Sequence, residues 1–459
     1  MDHSILDLIE YSLKSISDLK YDLADIRIEK IRFTRIEVKD SVVRVSSGLD
    51  YGAAVRVFVN GSMGFAYTTL LEKNSIVNAL RNAYSMARAT HGEFPKPYLL
   101  EPLKKLEKHP VKRSIVDVPI DVKLSDIRDL DEMVAKEVLV KSHTINYLER
   151  LEEKYYGSSE GRYLAEKREL VYTALLVYGE EAGVRASSFI TEGTIKGYSI
   201  WDKRSQESFY RDATRKLKNQ LTGKTPKAGI YPVVLGPKAV GVFVHEAFGH
   251  LAEADLVVGG SALQGKRGVK VASELVTIID APDVDDGFGT FSFDDEGVEA
   301  SRATIVENGV HVGVMNSRVY ASLMGDKPTG NGRAESFRHP PIVRMRNTIL
   351  LPRDHSFEEL LEGIDFGYYI VSTAGGQTNL DGSFQVGIEE AYEIVNGEIG
   401  SPVRNLGITG NTLETLKNID AVGKDFKLGY GRCGKEQLAF VSEGGPHVRV
   451  KRISVGGRA

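Results

Sequence analysis

Cysteine is almost absent. Cys433 is the single one in 459 residues, so no disulfide can close within the chain, which fits a reducing cytoplasm better than secretion. Long apolar runs are missing too. No stretch approaches the roughly 20 apolar residues that cross a bilayer. The opening Met1-Asp2-His3-Ser4 passes into mixed apolar and charged residues without the core of a signal peptide. Nor is there an excess of either charge: 59 Lys and Arg stand against 63 Asp and Glu, a formal net charge of -4. That balance argues against a nucleic-acid partner, which calls for a basic excess or stripe. A phosphate-binding loop is also lacking. Gly223-Lys224-Thr225 would need a glycine at position 218, where Lys218 stands. No Gly-x-Gly-x-x-Gly follows a strand pattern.

What remains, 42% apolar and 27% charged, is ordinary globular composition, and the length favours two domains. Ile5, Leu8, Ile9, Leu13 and Ile16 fall at helical spacing and predict a first helix. From Asp25 to Thr69 the period changes to two, with a tight hairpin turn at Asn60-Gly61, where both residues tolerate positive φ. Asn60-Gly61-Ser62 also matches a glycosylation acceptor, but a turn is the better reading in a cytoplasmic chain. A helix over 75–89 follows, and 92–117, richer in Pro and Lys, reads as a connecting loop. Ser125 is expected to cap a helix carrying Ile127, Leu130, Met133, Val134 and Val138. Strands are expected from about Thr144 to Tyr198. A helix near 203–221 then presents Arg211, Arg215 and Lys218 as a plain solvated face. The break at Thr222–Pro226 marks the domain boundary. Beyond it come a strand at 231–235, a helix at 237–251 and a mostly β remainder, with Asn-Gly turns at 308–309 and 396–397. The expected fold is therefore α+β. Residues 1–222 form an α/β domain with a twisted sheet, and 223–459 form a largely β, barrel-like domain that carries the 237–251 helix.

That helix holds His245-Glu246-Ala247-Phe248-Gly249-His250. Neutral imidazoles are good zinc ligands, and a carboxylate beside the metal can take a proton from bound water and pass it on. The spacing is unusual. Histidines four apart share a helix face, whereas five apart they diverge by about 140° on an ideal helix. If both bind one ion, the helix must carry a π-bulge or end near His250, and Gly249 would make that distortion inexpensive. The competing reading is two unrelated core histidines. A third ligand is needed, and Glu253, Asp255, His311, His339 and Cys433 are all candidates. Spacing does not choose among them, and a lone cysteine is more often a small buried hydrophobe.

The segment 245–250, continued to Glu253 and Asp255, resembles the hallmark of the TldD/PmbA family of metallopeptidases. Further resemblances follow in order: Asp294-Asp295-Glu296-Gly297, Thr329-Gly330-Asn331-Gly332-Arg333, Pro340 to Asn347, Gly375-Gly376-Gln377 and Cys433-Gly434-Lys435. The resemblance implies one Zn2+ per chain held by His245, His250 and Cys433, with Glu246 as the catalytic carboxylate. It also implies supporting places for Glu253 and Asp255, for which a salt bridge at the helix end is the plain alternative. Asn331, Arg333 and Gly376 are expected near the substrate, with tight turns as their plain alternative. It further implies peptide or unfolded-protein substrates and a dimer with a second copy or with a TldE/PmbA-like paralogue, while the charge balance and the lack of long apolar runs leave no direct nucleic-acid or membrane partner expected. A zinc-stabilised assembly or regulatory subunit without turnover is the alternative function. It predicts a closed four-ligand site, whereas three ligands and a spare carboxylate suit an open one.

Overall fold

Alternating apolar residues in the first 200 positions fold into one long, mainly antiparallel sheet. The computed structural model describes residues 2–90, 92 and 95–457. Helix α1 (His3–Lys14), capped by the Asp2 side chain, precedes β1 (Leu23–Lys39), β2 (Val42–Val59) and β3 (Ser62–Thr68). Next come α2 (Lys73–Ala89), β4 (Leu103–Lys108), α3 (Ile120–Ala135), β5 (Val140–Ser158), β6 (Arg162–Glu181) and β7 (Val184–Thr194). The sheet order is β3-β2-β1-β5-β6-β4, with β7 also on β6. Helices α1 and α2 bury Ile5, Ile9, Leu80 and Ala83 against the first strands, and α3 and α5 (Gln206–Thr222) cover the later ones; α4 (Ile200–Lys203) is a single turn.

Residues 229–457 build two larger sheets and a two-stranded one, Gly332–Arg333 with Ile342–Val343. Strands 366–378, β8 (Gly229–Leu235), 448–457, 406–411 and 383–395 pair in succession, and the last returns to the first, closing a five-stranded barrel. A six-stranded sheet runs 310–311, 303–307, 278–280, 347–350, 437–445 and 427–435, so the last of these strands is an edge. The α+β expectation with a barrel is met. The three Asn-Gly turns expected at 60–61, 308–309 and 396–397 all form, with positive φ at Asn60, Asn308, Asn396 and the glycine after each.

Several local expectations are corrected. Strand β4 lies inside the expected loop 92–117; its sequence Leu103-Lys104-Lys105-Leu106 is short, lysine-rich and without apolar alternation, as an edge strand allows, and it pairs parallel with β6. Helix α3 starts at Ile120, so Ser125 is an exposed interior position and caps nothing. The extra first turn is held by Lys123, which is 4% exposed and donates to Glu149 at 2.7 Å, a tertiary contact that no local signal reveals. On α5, Arg211 and Lys218 are exposed, but the Arg215 guanidinium reaches the buried Glu390 at 3.0 Å.

The first sheet is fastened to the rest of the chain by buried ions. Arg56 on β2 grips Asp25 through two nitrogens, at 2.6 and 3.1 Å, and donates to Glu296 at 2.6 Å. Neighbouring Asp295 pairs with Lys154 at 3.2 Å and accepts from the Ala334 amide, while Asp294 accepts from the amides of Glu296, Val298 and Gly332. The acidic run 294–297 thus joins the two parts of the chain. A cluster of Tyr172 and Leu170 with Phe288, Tyr430 and Phe440 adds apolar contact across the same junction. Removing one partner of a buried ion pair strands the others, at about 3–5 kcal/mol. Arg56→Met should therefore lower the unfolding free energy measured in urea by that order, a far larger effect than Arg44→Met, whose pair with Glu37 is exposed.

Candidate metal centre

The helix after β8 changes pitch where the histidines stand. It is α-helical over Pro237–Val242 (α6), π-helical over Phe243–Gly249 and 3-10 over His250–Ala252. In the widened turn the backbone bonds from i to i+5, so residues five apart return to one side. The rings of His245 and His250 face each other edge-on, 5.4 Å between centroids. Gly249 contributes differently from expectation. Its φ of -57 is ordinary helical backbone, which any residue adopts. What excludes a side chain is Met345, whose sulfur would lie 2.3 Å from a Cβ at this position. Phe243, Val244, Ala247 and Phe248 anchor the turn in the core of the barrel, with Phe243 edge-on to Phe384.

From the other side comes the hairpin of strands Lys427–Lys435 and Gln437–Gly445, turned at Glu436 with φ 59. It sets Cys433, 5% exposed, with its sulfur 3.3 Å from Nε2 of His250. One donor atom from each of His245, His250 and Cys433 falls within 4.8 Å of the others. The ring of His245 is buried and its Nδ1 has no hydrogen-bond partner. Two imidazoles and a thiol that converge this closely, with an imidazole nitrogen left unbonded, suit a tetrahedral divalent ion such as zinc. The other sequence candidates lie elsewhere: His311 bonds to the Ile305 carbonyl and His339 to Ser336.

Around these donors lies a ring of carboxylates and one lysine. Glu253, fully buried, accepts from Nδ1 of His250 at 2.7 Å, which leaves Nε2 facing Cys433. Lys435 reaches Glu253 at 3.2 Å and Asp255 at 2.8 Å. Glu253 thus bonds at once to the His250 imidazole and to Lys435. Asp255 belongs to the salt bridge. Glu246 is one-third exposed, 3.9 Å from Nε2 of His250. Burial pushes its carboxyl upward, and Glu253 adds to that push against the opposing pull of His250. Burial pushes His245 well down, which keeps it in the neutral, ligating form. At His250 burial also lowers the pKa, but the hydrogen bonds to Cys433 and Glu253 outweigh it and raise the ring to about 10. The gap between Nε2 and the sulfur therefore favours a positive charge, supplied by a proton or by a metal ion.

Asn331 and Arg333 are buried and bonded within the frame. Asn331 donates to Asp280 and to the Arg344 carbonyl, and Arg333 to the Phe440 carbonyl. Gly376 lies exposed on the strand 366–378, at a break in register with 383–395. Two neighbours of the centre escaped the sequence reading. Arg344 donates to the Cys433 carbonyl at 2.7 Å. Glu443 faces Gly241 and Gly429, whose missing side chains leave it room; burial and the nearby Glu246 raise it to about 7. Pattern singled out Arg344 only as part of a longer segment, and Glu443 not at all. A cavity of about 470 Å³ between the two parts of the chain is lined by Lys154, Phe291, Arg432 and Phe440. None of the three donors lines it. Arg432 and Phe440 are paired residues on the hairpin face opposite Cys433 and Ala439.

Family models match along nearly the whole chain: PmbA/TldA metallopeptidase domain 1 over residues 24–87, the central domain over 113–221 and the C-terminal domain over 228–457. The chain belongs to the TldD/PmbA metallopeptidase family. It is 36% identical to the zinc metalloprotease TldD homolog of Saccharolobus solfataricus, covering 97% of this chain and 99% of that protein. To a metalloprotease of Methanothermobacter thermautotrophicus it is 38% identical, over 98% and 99%. The fold matches that of TldE from Thermococcus kodakarensis, with a TM-score of 0.80 at 22% identity over 98% of this chain and 99% of the other. A Thermotoga maritima protein described as a modulator of a DNA gyrase matches equally, with a TM-score of 0.80 at 23% identity and the same coverage. This TldD/PmbA-family chain is thus a metallopeptidase with a metal cofactor, and among its described residues no helix is long and apolar enough to cross a membrane.

The His250 shift sets a pH dependence for the metal-free chain. A group whose pKa rises from 6.5 unfolded to about 10 folded stabilises fully below 6.5, and that stabilisation disappears as pH climbs to about 10. The thermal midpoint of chelator-treated protein should fall across this window, and the fall should be absent in His250→Ala.

Proposed function

We propose that the chain is a zinc peptidase, with His245, His250 and Cys433 as ligands and Glu246 as general base and then general acid. The observation that carries the reading is the convergence of three donor atoms within 4.8 Å beside a partly exposed carboxylate. When bound, the ion supplies Lewis acidity toward water and toward the scissile carbonyl. The chain's own residues do the rest. Glu253 holds the His250 ring with Nε2 turned inward, and Lys435 keeps Glu253 in place. Glu246 accepts a proton from the attacking water and returns it to the leaving amine. Its upward-shifted carboxyl suits a group that must carry that proton briefly. Glu246 is the one member of the group with substantial solvent access, so substrate approaches from its side. Residues 1–222 and 223–459 serve as the two domains of this enzyme.

Substrates are peptides or unfolded segments, bound without a strong side-chain preference. The exposed backbone near Gly376 and the edge strand Lys427–Lys435 offer main-chain hydrogen bonds of the kind an added strand uses. The matching TldE fold supports a dimer with a second copy or with a TldE/PmbA-like paralogue.

The decisive pair of measurements is zinc content and peptide hydrolysis. Purified chain should carry about one zinc, lost in His250→Ala and Cys433→Ser. Glu246→Gln should keep the zinc and lose at least ~100-fold in kcat on an unstructured peptide, the usual scale of general acid–base catalysis. Full activity in Glu246→Gln, or zinc retained in His250→Ala, would overturn the assignment.

A further inference from the structure

Arg344 is 1% exposed and forms no ion pair among the described residues. Its acceptors are backbone carbonyls. One terminal nitrogen donates to the Cys433 carbonyl at 2.7 Å, and the other to the carbonyls of Gln437 and, at 3.4 Å, Lys435. Nε has no hydrogen-bond partner among the described residues. A buried cation without a counter-ion destabilises a fold, so stability does not explain this placement. Geometry does. The three carbonyls surround the turn at Glu436, and a guanidinium is a flat fork whose donors point in fixed directions. The fork acts as a template for the turn that follows Cys433. The backbone of Arg344 is itself fixed, since its amide donates to the Asn331 carbonyl and its carbonyl accepts from Asn331 Nδ2, both at 2.9 Å. Asn331 is anchored in turn on the buried Asp280.

We propose that Arg344 is the positioning residue for the thiol ligand. It transmits the rigid Asp280–Asn331 frame to the backbone of Cys433 and so sets the depth of the sulfur opposite His250. The inference rests on the metal-centre reading above. Lysine retains the charge but offers a point rather than a fork, so Arg344→Lys should leave the chain folded and the sulfur misplaced. Arg318→Lys is the control. It removes an equally buried guanidinium, bonded to the Tyr98 carbonyl and to Glu160, with no side-chain hydrogen bond to Asp280, Asn331 or the hairpin of Cys433.

The test uses the full chain and two readouts: Zn2+ affinity by chelator competition, and the rate at which iodoacetamide alkylates the metal-free protein, which reports Cys433 alone because no other cysteine exists. Arg344→Lys should lose about tenfold or more in Zn2+ affinity and alkylate faster, while Arg318→Lys, corrected for its folded fraction, should change neither. Unchanged affinity and alkylation in Arg344→Lys, or equal changes in both variants, would overturn the proposal. Should Arg344→Lys fail to fold, Arg344→Gln, which keeps donors without charge, takes its place; if neither folds, Arg344 belongs to the fold and the proposal fails. Wild type that binds no Zn2+ would refute the metal reading, while the alkylation comparison would still decide whether Arg344 positions the thiol.

Discussion

One widened helical turn underlies the site. Residues five apart on an α-helix point about 140° from one another, and no arrangement of strands around such a helix could bring both histidines to one ion. The i→i+5 pattern over Phe243–Gly249 removes that divergence. A π turn is less favourable than the α turn it replaces, so something outside the helix must hold it. Its anchors are Phe243, Val244, Ala247 and Phe248 in the barrel core, and Met345 pressed onto Gly249, where a side chain would collide. Because the helix ends two residues after His250, Glu253 already lies in extended backbone and can fold back onto the imidazole.

The remaining sequence motifs act at a distance from the donors. Asp294, Asp295 and Glu296 tie the first sheet to the second part of the chain, while Asn331, Arg333, Arg344 and Arg346 bond to carbonyls and to Asp280 beneath the Cys433 hairpin. Buried charges gain little net stability once desolvation is counted. What they supply is direction, because each guanidinium accepts only a narrow set of acceptor positions. A centre whose third candidate donor comes from a strand 183 residues away from His250 needs such direction more than it needs extra stability.

Legibility in the sequence followed the range of the deciding interaction. The Asn-Gly turns, α1 and the alternation of the strands are set by neighbours, and they could be read directly. Strand β4 and the first turn of α3 depend on β6 and Glu149, so local pattern misjudged both. At the site, the spacing of His245 and His250 already required a distorted helix. The reason for Gly249 was misread as backbone freedom, because its true constraint, Met345, lies nearly a hundred residues on. Cys433 could not be separated from Glu253, Asp255 or the other histidines by spacing; only the family resemblance singled it out. Asn331 stood out by pattern but bonds only within the frame, whereas Arg333 also lines the cavity between the two parts of the chain.

The gradient of burial across the centre bears on whether it is catalytic or merely structural. His245 and Cys433 are buried at 3% and 5% exposure, His250 is intermediate, and Glu246 is about one-third exposed. A structural zinc site closes four protein donors around the ion, whereas a catalytic one keeps a position open. The described residues supply three donors at bonding separation. The nearest carboxylates are already engaged or set back: Glu253 is committed to Nδ1 of His250 and to Lys435, and Asp255 to Lys435. That leaves Glu246 at the open side, beside the donors without closing the set. It is also the only one of these acids with both solvent access and a raised pKa that no lysine offsets. A group so placed can exchange protons with water and with a substrate arriving from outside, which a fourth structural ligand cannot do.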